Sequence, residues 1–392
     1  MRWRVSLRAA GLVVVLAAAV QLHAGVMYTV TDLGTLGGPP GEGSEAHGIN
    51  DLGQVVGWAF AQTPSGAAMH AFRTAPNQPI NPATDDLDVL GSPWSVARGI
   101  NNLGQVIGSG GGTISFRTRP NQPINPATDE LGTLGGAFSA AVAINDAGQV
   151  VGQSKLADGS YRAFRTAPNA PINPATDDLG TFGGAGSAAF DINALGQVVG
   201  GAALAGNGWA AGAFRSAPNS AINPLTDDLG TLGGTWSQAF GINASGQVAG
   251  TSTISTEPGH GMHIFRTSPD QPINPVTDDL GTLGEANLQV KAMNDRGDVV
   301  GVFVVYGDVE NAFIGVGSQL ANLNDFIDPA SGWVLKNAND INNLGQIVGG
   351  GYLNGRFRAY RLDPIPEPSA LLVGVAGLSI CALRRPSQAN PT

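Results

Sequence analysis

Residues 49–56 read Ile49-Asn50-Asp51-Leu52-Gly53-Gln54-Val55-Val56, two apolar runs on either side of a polar Asn-Asp-Leu-Gly segment. The asparagine is placed to cap a type I turn, and the glycine is placed to take the left-handed conformation that follows such a turn. The β-branched residues on both sides favour extended strands. The segment therefore predicts a β-hairpin.

This hairpin segment recurs along the chain. Its asparagines are separated by 51, 44, 48, 50, 51 and 48 residues. A second marker, Ala-Phe-Arg or a close variant, recurs with them and predicts a strand whose aromatic residue enters the core while the arginine points the other way. The asparagines are Asn50, Asn101, Asn145, Asn193, Asn243, Asn294 and Asn342, and the aromatic residues are Phe72, Phe116, Phe164, Phe214, Phe265, Phe313 and Tyr360. Both markers occur seven times, which indicates a repeat protein.

A third marker, Asp-Leu-Gly-Thr-Leu-Gly-Gly, first occurs at Asp32 and predicts a strand that opens each unit. Together with the hairpin pair and the Phe-Arg strand it gives four strands per unit, and Pro-Ile-Asn-Pro segments such as the one at Pro79 connect the units. We expect an all-β fold, a seven-bladed β-propeller of seven repeats of about 49 residues. A β-helix is the main alternative, and the sequence leaves open whether strands from the two chain ends share a blade.

A ligand site on a repeated frame is expected where the units differ. One such column lies between an alanine and the small residue before Ile-Asn, and its period-2 position would put it on the face of the isoleucine, so that some members belong to the core. Its members are His47, Arg98, Val142, Phe190, Phe240, Lys291 and Asn339. We predict that His47, Arg98, Phe190, Phe240, Lys291 and Asn339 contribute to ligand binding, together with the variable loops that follow each Val-Val-Gly.

Residues 1–24 are typical of a secretory signal peptide. Arg2, Arg4 and Arg8 precede an apolar run from Ala9 to Val20, and Ala24 offers a small residue before the cleavage position. Signal peptidase would remove this segment during export. The repeat domain is expected to cover residues 28–362.

Residues 363–392 are predicted to form a second targeting segment, after the signal peptide. Pro366, Glu367 and Pro368 precede an apolar segment at 370–383, predicted to be a short helix, and Arg384 and Arg385 follow it. Fourteen residues give about 21 Å of helix, which suits transient insertion in the inner membrane better than a permanent span of about 30 Å. This arrangement resembles the PEP-CTERM sorting signal of Gram-negative bacteria that make exopolysaccharide. The resemblance implies recognition by exosortase near Pro366-Glu367-Pro368.

The repeats resemble a second family. His70-Ala71-Phe72 together with Asp-Leu-Gly-Thr-Leu-Gly-Gly is similar to the extracellular HAF-repeat family, although other units read Arg162-Ala-Phe, Gly212-Ala-Phe and His263-Ile-Phe. The resemblance covers nearly all of the repeat domain. It implies a secreted or cell-surface location and a repeat architecture, without an activity.

Composition narrows the function classes. A formal charge of −10 with only three lysines disfavours a nucleic-acid partner, and the one cysteine, Cys381, excludes an intrachain disulfide or a Cys metal site. His260-x-x-His263 lacks further ligands, no Gly-x-Ser-x-Gly elbow occurs, and we expect no metal, cofactor or catalytic residue. The adjacent acidic pairs of the connectors are good turn chemistry, although calcium stays an alternative. These pairs are Asp85-Asp86, Asp129-Glu130, Asp177-Asp178, Asp227-Asp228 and Asp278-Asp279.

We therefore expect a non-enzymatic surface or matrix protein that binds or organises exopolysaccharide or surface proteins. A secreted hydrolase or lyase would need acidic residues that converge on a central channel, whereas the carboxylates recur in the connectors. A calcium-dependent adhesin is the third hypothesis.

Overall fold

The computed structural model describes residues 27–39, 41–64, 66–87, 94–111, 114–206, 211–255, 261–284, 287–305 and 309–366. The predicted signal peptide, the apolar segment 370–383 and the sorting residues Glu367, Pro368, Arg384 and Arg385 lie outside these residues. In the described part the chain is all-β apart from two short 3-10 segments, Leu323–Phe326 and Pro329–Ser331.

The strands follow one another in a regular order. They are β1 (Tyr28–Gly34), β2 (Ser44–Ile49), β3 (Val55–Thr63), β4 (Gly66–Arg73), β5 (Ser95–Ile100), β6 (Val106–Gly110), β7 (Ile114–Arg117), β8 (Ser139–Ile144), β9 (Val150–Lys155), β10 (Tyr161–Arg165), β11 (Gly183–Ile192), β12 (Val198–Leu204), β13 (Ala211–Arg215), β14 (Ser237–Ile242), β15 (Val248–Thr253), β16 (Met262–Arg266), β17 (Asp279–Gly281), β18 (Asn287–Met293), β19 (Val299–Val305), β20 (Val309–Val316), β21 (Gln319–Asn322), β22 (Trp333–Ile341), β23 (Ile347–Leu353) and β24 (Arg356–Pro364).

The described strands form seven antiparallel sheets, each built from neighbours in sequence with one exception. We call the strand that precedes each asparagine turn the innermost strand of its sheet. We number the sheets by the order of these strands along the chain. Sheets 1 to 7 are β2-β3-β4, β5-β6-β7, β8-β9-β10, β11-β12-β13, β14-β15-β16-β17, β18-β19-β20-β21 and β22-β23-β24-β1. The exception is β1, which joins the last sheet.

The predicted hairpin is present in every sheet and connects its first two strands. In sheet 1 the Asn50 side-chain oxygen accepts hydrogen bonds from the backbone N–H groups of Leu52 (3.1 Å) and Gln54 (2.9 Å), and Gly53 has φ 76°. The asparagine side chain therefore satisfies backbone N–H groups of its own turn, as the sequence pattern predicts. The Asn50 side-chain nitrogen in turn donates to the carbonyl oxygen of Asn101 in the next sheet (3.0 Å).

The Phe-Arg strand also behaves as predicted. Phe72 and its counterparts are fully buried between neighbouring sheets, with no exposed surface. Arg73 points away from the phenylalanine and donates to the carbonyl oxygens of Gly104 (3.3 Å) and Gln122 (3.1 Å) in the following unit. In sheets 1 to 5 the marker therefore supplies a core aromatic residue and an arginine that is hydrogen-bonded to the following unit.

The position of the Asp-Leu-Gly strand differs from the prediction. It does not open its own unit but lies at the outer edge of the preceding sheet, where Asp86 bridges to Phe72 and Asp178 to Phe164. In sheet 5 the same edge is the strand β17, which pairs with β16. Short connectors favour this pairing, because the chain turns back beside the strand it has just left.

The shift by one strand explains how the two chain ends meet. Strand β1 pairs antiparallel with β24, with Tyr28 opposite Pro364 and Asp32 opposite Tyr360, and so supplies the outer strand of sheet 7. The Asn342 side chain donates to the carbonyl oxygen of Asn50 (3.0 Å), and the Ser44 hydroxyl accepts from the backbone N–H of Ala359 (3.0 Å). Sheet 7 therefore contacts sheet 1 through the same kinds of bonds that join the other neighbours.

Candidate functional site in the central channel

Every innermost strand contains a β-bulge at the same position. In sheet 1, Ala46 lies opposite Gly57 and Gly48 lies opposite Val56. His47, between them, therefore has no residue paired with it on the neighbouring strand. The same shift in register leaves one unpaired residue in each of the other sheets. These residues are Arg98, Val142, Phe190, Phe240, Lys291 and Asn339, and β22 has a second shift at Lys336.

The bulges correct the expectation that period-2 alternation puts this column on the isoleucine face. A bulge inserts one residue and reverses the alternation beyond it. Ala46 and Ile49 therefore both enter the core between sheets, although three positions separate them, while His47 is only half-buried. Bulges commonly re-aim a side chain next to a functional site.

The glycine of each Val-Val-Gly or equivalent segment lies on the second strand of its sheet, directly opposite the bulge. A Cβ atom on Gly57 would collide with the carbonyl oxygen of Glu45, and the same collision occurs at all seven equivalent positions. Those positions are Gly57, Gly108, Gly152, Gly200, Gly250, Gly301 and Gly349. The bulge draws the innermost strand so close to its neighbour that only glycine fits there.

The seven bulge residues converge on one cavity. The innermost strands surround a central channel, which contains a cavity of about 240 Å³ beside the asparagine turns and a larger one of about 820 Å³ farther from them. All seven members of the predicted column line the larger cavity. Ile100, Ile144, Ile242 and Met293 line both cavities and separate them.

The larger cavity has an apolar side and a polar side. Val142, Phe190 and Phe240 come from the consecutive sheets 3, 4 and 5, and the rings of Phe190 and Phe240 are 5.1 Å apart at an angle of 36°. Sheets 6, 7, 1 and 2 contribute the polar side. Its members include Gln289, Lys291, Asn337, Asn339, Glu45, His47 and Arg98.

Glu45 contacts several other residues of the polar side. Its carboxylate accepts hydrogen bonds from Trp58 (3.2 Å), Asn337 (3.0 Å) and Asn339 (3.2 Å), and His47 lies 3.5 Å away. Desolvation by burial raises its pKa, but the hydrogen bond and charge of His47 and the two amides outweigh that effect and hold the pKa below its ordinary value. Glu45 is therefore an ionised, fully hydrogen-bonded group.

Two further carboxyl groups bridge neighbouring sheets in the channel wall. Asp191 accepts hydrogen bonds from the backbone N–H groups of Ile192 (2.8 Å) and of Ile242 in the next sheet (2.9 Å). Asp340 accepts in the same way from Ile341 (2.8 Å) and from Ile49 (2.8 Å). Desolvation by burial raises the pKa of Asp191 to about 7 and that of Asp340 to about 6.

These raised pKa values predict a pH-dependent stability. A group whose pKa is higher in the folded than in the unfolded protein stabilises the fold fully below its unfolded value of about 3.9, and this contribution is lost as the pH rises through the folded value. We expect the free energy of unfolding to fall between about pH 4 and pH 7, from the unfolded pKa of these carboxyl groups up to the raised folded pKa values of Asp340 and Asp191.

Denaturant unfolding across this pH range measures the effect. Asp191→Ala gives the residue that sheet 3 has naturally at Ala143, and it should make the pH profile flatter than that of the wild type. An unchanged slope in the variant would show that Asp191 does not cause the pH dependence.

The two cations of the cavity differ in their partners. Lys291 donates to the side-chain oxygen of Gln289 (2.8 Å). Desolvation by burial lowers the pKa of Lys291, and the charge of Arg98 lowers it further. The carboxylates of Glu45 and Glu310 oppose this lowering. Arg98 is exposed within the cavity. The repeated arginines Arg73, Arg117, Arg165, Arg215 and Arg266, in contrast, donate to backbone carbonyls between sheets.

The distribution of carboxylates differs in part from the sequence interpretation. The connector carboxylates serve local structure: Asp85 accepts from the backbone N–H of Asn81 (2.8 Å) and from the Thr84 hydroxyl (2.9 Å). Four unrepeated ones nevertheless line the larger cavity, namely Glu45, Asp191, Glu310 and Asp340. Asp191 and Asp340 occupy a column that is otherwise glycine or alanine, which is a signal that the sequence offered.

The described residues contain no group of three or more His, Cys, Asp or Glu side chains that could hold a metal ion. Each of two histidines contacts a single carboxylate. The Nδ1 atom of His263 lies 2.9 Å from Oδ1 of Asp279, and the Nδ1 atom of His70 lies 2.8 Å from Oδ2 of Asp86. Over the described ranges, no helix has the length and apolarity needed to span a membrane.

Comparison with known proteins gives low similarities. No protein-family model and no curated protein matches the sequence. Among solved structures, TolB from Acinetobacter baumannii has 10% identity and a TM-score of 0.37 over 80% of this chain and 64% of TolB, so the chain spans just under two thirds of that protein. The BP39L lectin from Burkholderia pseudomallei has 11% identity and a TM-score of 0.40 over 87% of this chain and 99% of the lectin.

A third solved structure, the α-L-arabinofuranosidase PaAbf62A from Podospora anserina in complex with cellotriose, has 10% identity and a TM-score of 0.29. It covers 87% of this chain and 98% of the enzyme chain. All three TM-scores lie below 0.5, so neither the fold nor the function of this chain is inferred from these similarities.

Proposed function

We propose that the chain is a secreted surface or matrix protein, a non-catalytic seven-bladed β-propeller that binds part of an extracellular glycan in its central cavity. The observation that carries this proposal is the convergence of all seven bulge residues on one cavity of about 820 Å³. A repeated bulge presents one side chain from each sheet to the same space, and these side chains vary between sheets, as a binding site on a repeated frame requires.

The propeller architecture rests on the sheets and on the contacts between them. Seven sheets of similar strand order follow one another, and six of the seven turn asparagines donate to a carbonyl oxygen of the next sheet, including Asn342, which donates back to Asn50. Pairing of β1 with β24 places the first strand of the described chain in the same sheet as the last three. Closure of this kind protects the edge strands of propellers.

The chemistry of the cavity favours a sugar. A pyranose ring has an apolar face and a rim of hydroxyl groups, and Phe190 with Phe240 can pack against the first while Asn337, Asn339 and Gln289 bond the second. The cavity volume of about 820 Å³ also lies within the range of about 300–1,000 Å³ that is usual for small-molecule sites. A terminal segment of an exopolysaccharide fits these dimensions.

Export and sorting complete the proposal. Signal peptidase would remove residues 1–24, the tail at 363–392 would insert transiently in the inner membrane of a Gram-negative bacterium, and exosortase would process it near Pro366. Leu362 pairs with Ile347 at the start of β23, so the last described residues lie on the side of the asparagine turns. The larger cavity lies away from those turns, so a tail held at the membrane would leave that cavity accessible.

A glycan-array screen tests the binding proposal. We expect the wild-type chain to bind a subset of bacterial glycans, and we expect Phe190→Ala or Phe240→Ala to weaken that binding about tenfold or more through loss of aromatic packing. Leu225→Ala is the matched control, because Leu225 is 92% exposed on a connector and lines neither cavity. Equal binding by the cavity variants and the control would place the glycan site elsewhere.

A second candidate is a polysaccharide hydrolase or lyase. The observation that favours it is the pair of carboxyl environments in one cavity, with the pKa of Glu45 lowered and that of Asp191 raised to about 7. Such divergence is typical of acid–base pairs. Release of sugar fragments from a bound glycan, abolished by Glu45→Gln, would move the protein to this class.

A further inference from the structure

We propose that the central cavity selects a carboxylated sugar, a uronic acid unit, and that Arg98 binds its carboxylate. This inference rests on the proposed glycan-binding function and names the substrate class of the same site. The chain uses its arginines in two different ways.

Arginines in the repeat have structural partners. The Phe-Arg arginines of five sheets donate to backbone carbonyl oxygens of the next unit, as Arg117 does to Gly148 (3.2 Å) and Ala170 (3.0 Å). Arg98 stands instead at a bulge, exposed and facing the cavity. Its guanidinium group therefore has donors to offer to a ligand, and the planar fork of arginine matches a carboxylate in two parallel hydrogen bonds.

The surrounding charges leave Arg98 available for an anion. Glu45 accepts bonds from Trp58, Asn337 and Asn339 and has His47 beside it, so its carboxylate is already satisfied. The negative charge of Glu310 favours the protonated form of Lys291 and opposes the lowering of its pKa by desolvation. Arg98 and Lys291 line the same cavity with like charges, and their repulsion contributes to the lowered pKa of Lys291. An anion between the two cations would relieve this repulsion.

The apolar side of the cavity distinguishes a sugar acid from a free anion. Phe190 and Phe240 supply a surface that a small inorganic ion cannot use but that the face of a pyranose ring can cover. The site therefore combines a carboxylate partner with a ring platform, and both are needed for a uronic acid.

The test uses two matched probes, a galacturonate trisaccharide and the corresponding galactose trisaccharide, which differ only in a carboxylate in place of each hydroxymethyl group. Calorimetric titration of the wild-type chain should show a Kd for the acidic trisaccharide that is lower by about tenfold, with a difference that shrinks as salt is added. Arg98→Gln should abolish the preference, and Arg98→Lys should keep part of it because the charge remains.

Arg119→Gln is the matched control, since Arg119 is an exposed arginine on a connector outside the cavity. It should leave both Kd values unchanged, and thermal unfolding should show that all variants are folded. Equal affinity for the two trisaccharides, lowered by Phe190→Ala but not by Arg98→Gln, would overturn the assignment to uronic acids while the glycan-binding function stands. Absence of binding to either probe, with neutral or acidic glycans also unbound on the array, would overturn both.

Discussion

A chain that begins at Thr35 instead of Met27 is expected to lose cooperative unfolding. Its missing residues form β1, whose pairing with β24 supplies the outer strand of sheet 7. They also include Leu33, which is fully buried against sheet 1, and Val30, which packs into the core of sheet 7. Without β1 the edge of β24 is exposed and prone to pair with other chains. Circular dichroism during heating, together with light scattering, measures both effects.

The reference for this truncation is the chain from Met27 to Pro366. Removal of Ile365 and Pro366 from its C-terminal end is the matched control, because these residues follow β24 and add one hydrogen bond, from the Ile365 N–H to the Met27 carbonyl oxygen (2.8 Å). We expect the control to melt like the reference. A chain without β1 that melts at the same temperature as the reference would contradict closure of the seven sheets by β1.

Phe214→Ala is expected to lower the free energy of unfolding by about 3–5 kcal/mol, the usual range for a buried phenylalanine. Phe214 has no exposed surface, belongs to the core between sheets 3 and 4, and packs edge-on against Phe182 at 6.5 Å. Its removal leaves a cavity that the rigid sheets cannot close. Urea unfolding followed by tryptophan fluorescence measures the change.

Phe190→Ala in the same sheet is the matched control for this effect. Phe190 is half-buried at the channel and contacts Phe240, so its truncation should cost much less stability while it weakens glycan binding. The two variants should therefore separate the roles of the two phenylalanines. Similar losses of stability in both would mean that the channel residues belong to the core.

Much of this architecture was predictable because its signals are local and repeated. The Asn-x-x-Gly turn needs only its own side-chain and backbone bonds, as the Asn50 contacts show. The Phe-Arg strand follows from period-2 alternation, and Phe72 and Arg73 do lie on opposite faces. Seven copies of each marker gave the number of units before any contact between units was known.

The position of the Asp-Leu-Gly strand was not predictable in the same way. This strand makes little more than one bridge to its partner, as Asp178 does to Phe164, so its propensity alone does not say which sheet it joins. The closing role of β1 follows from that choice. It depends on a contact between residues more than 300 positions apart, for which a single sequence carries no local pattern.

The candidate site was predicted in its members but not in its geometry. The variable column was visible, yet its orientation depends on bulges that break the alternation used to interpret it. A signal was present in the glycine that recurs seven times opposite the bulge, as at Gly57, because an invariant glycine in a strand indicates close backbone approach. Asp191 and Asp340 were likewise visible as exceptions in a glycine and alanine column.

The most direct test of the whole account is a crystal structure of the chain from Met27 to Pro366 grown with the galacturonate trisaccharide. We predict seven sheets around one channel, β1 paired with β24, and sugar density in the larger cavity with a carboxylate at Arg98 and a ring face on Phe190. An open array with β1 unpaired from β24, or sugar bound only outside the channel, would contradict the account.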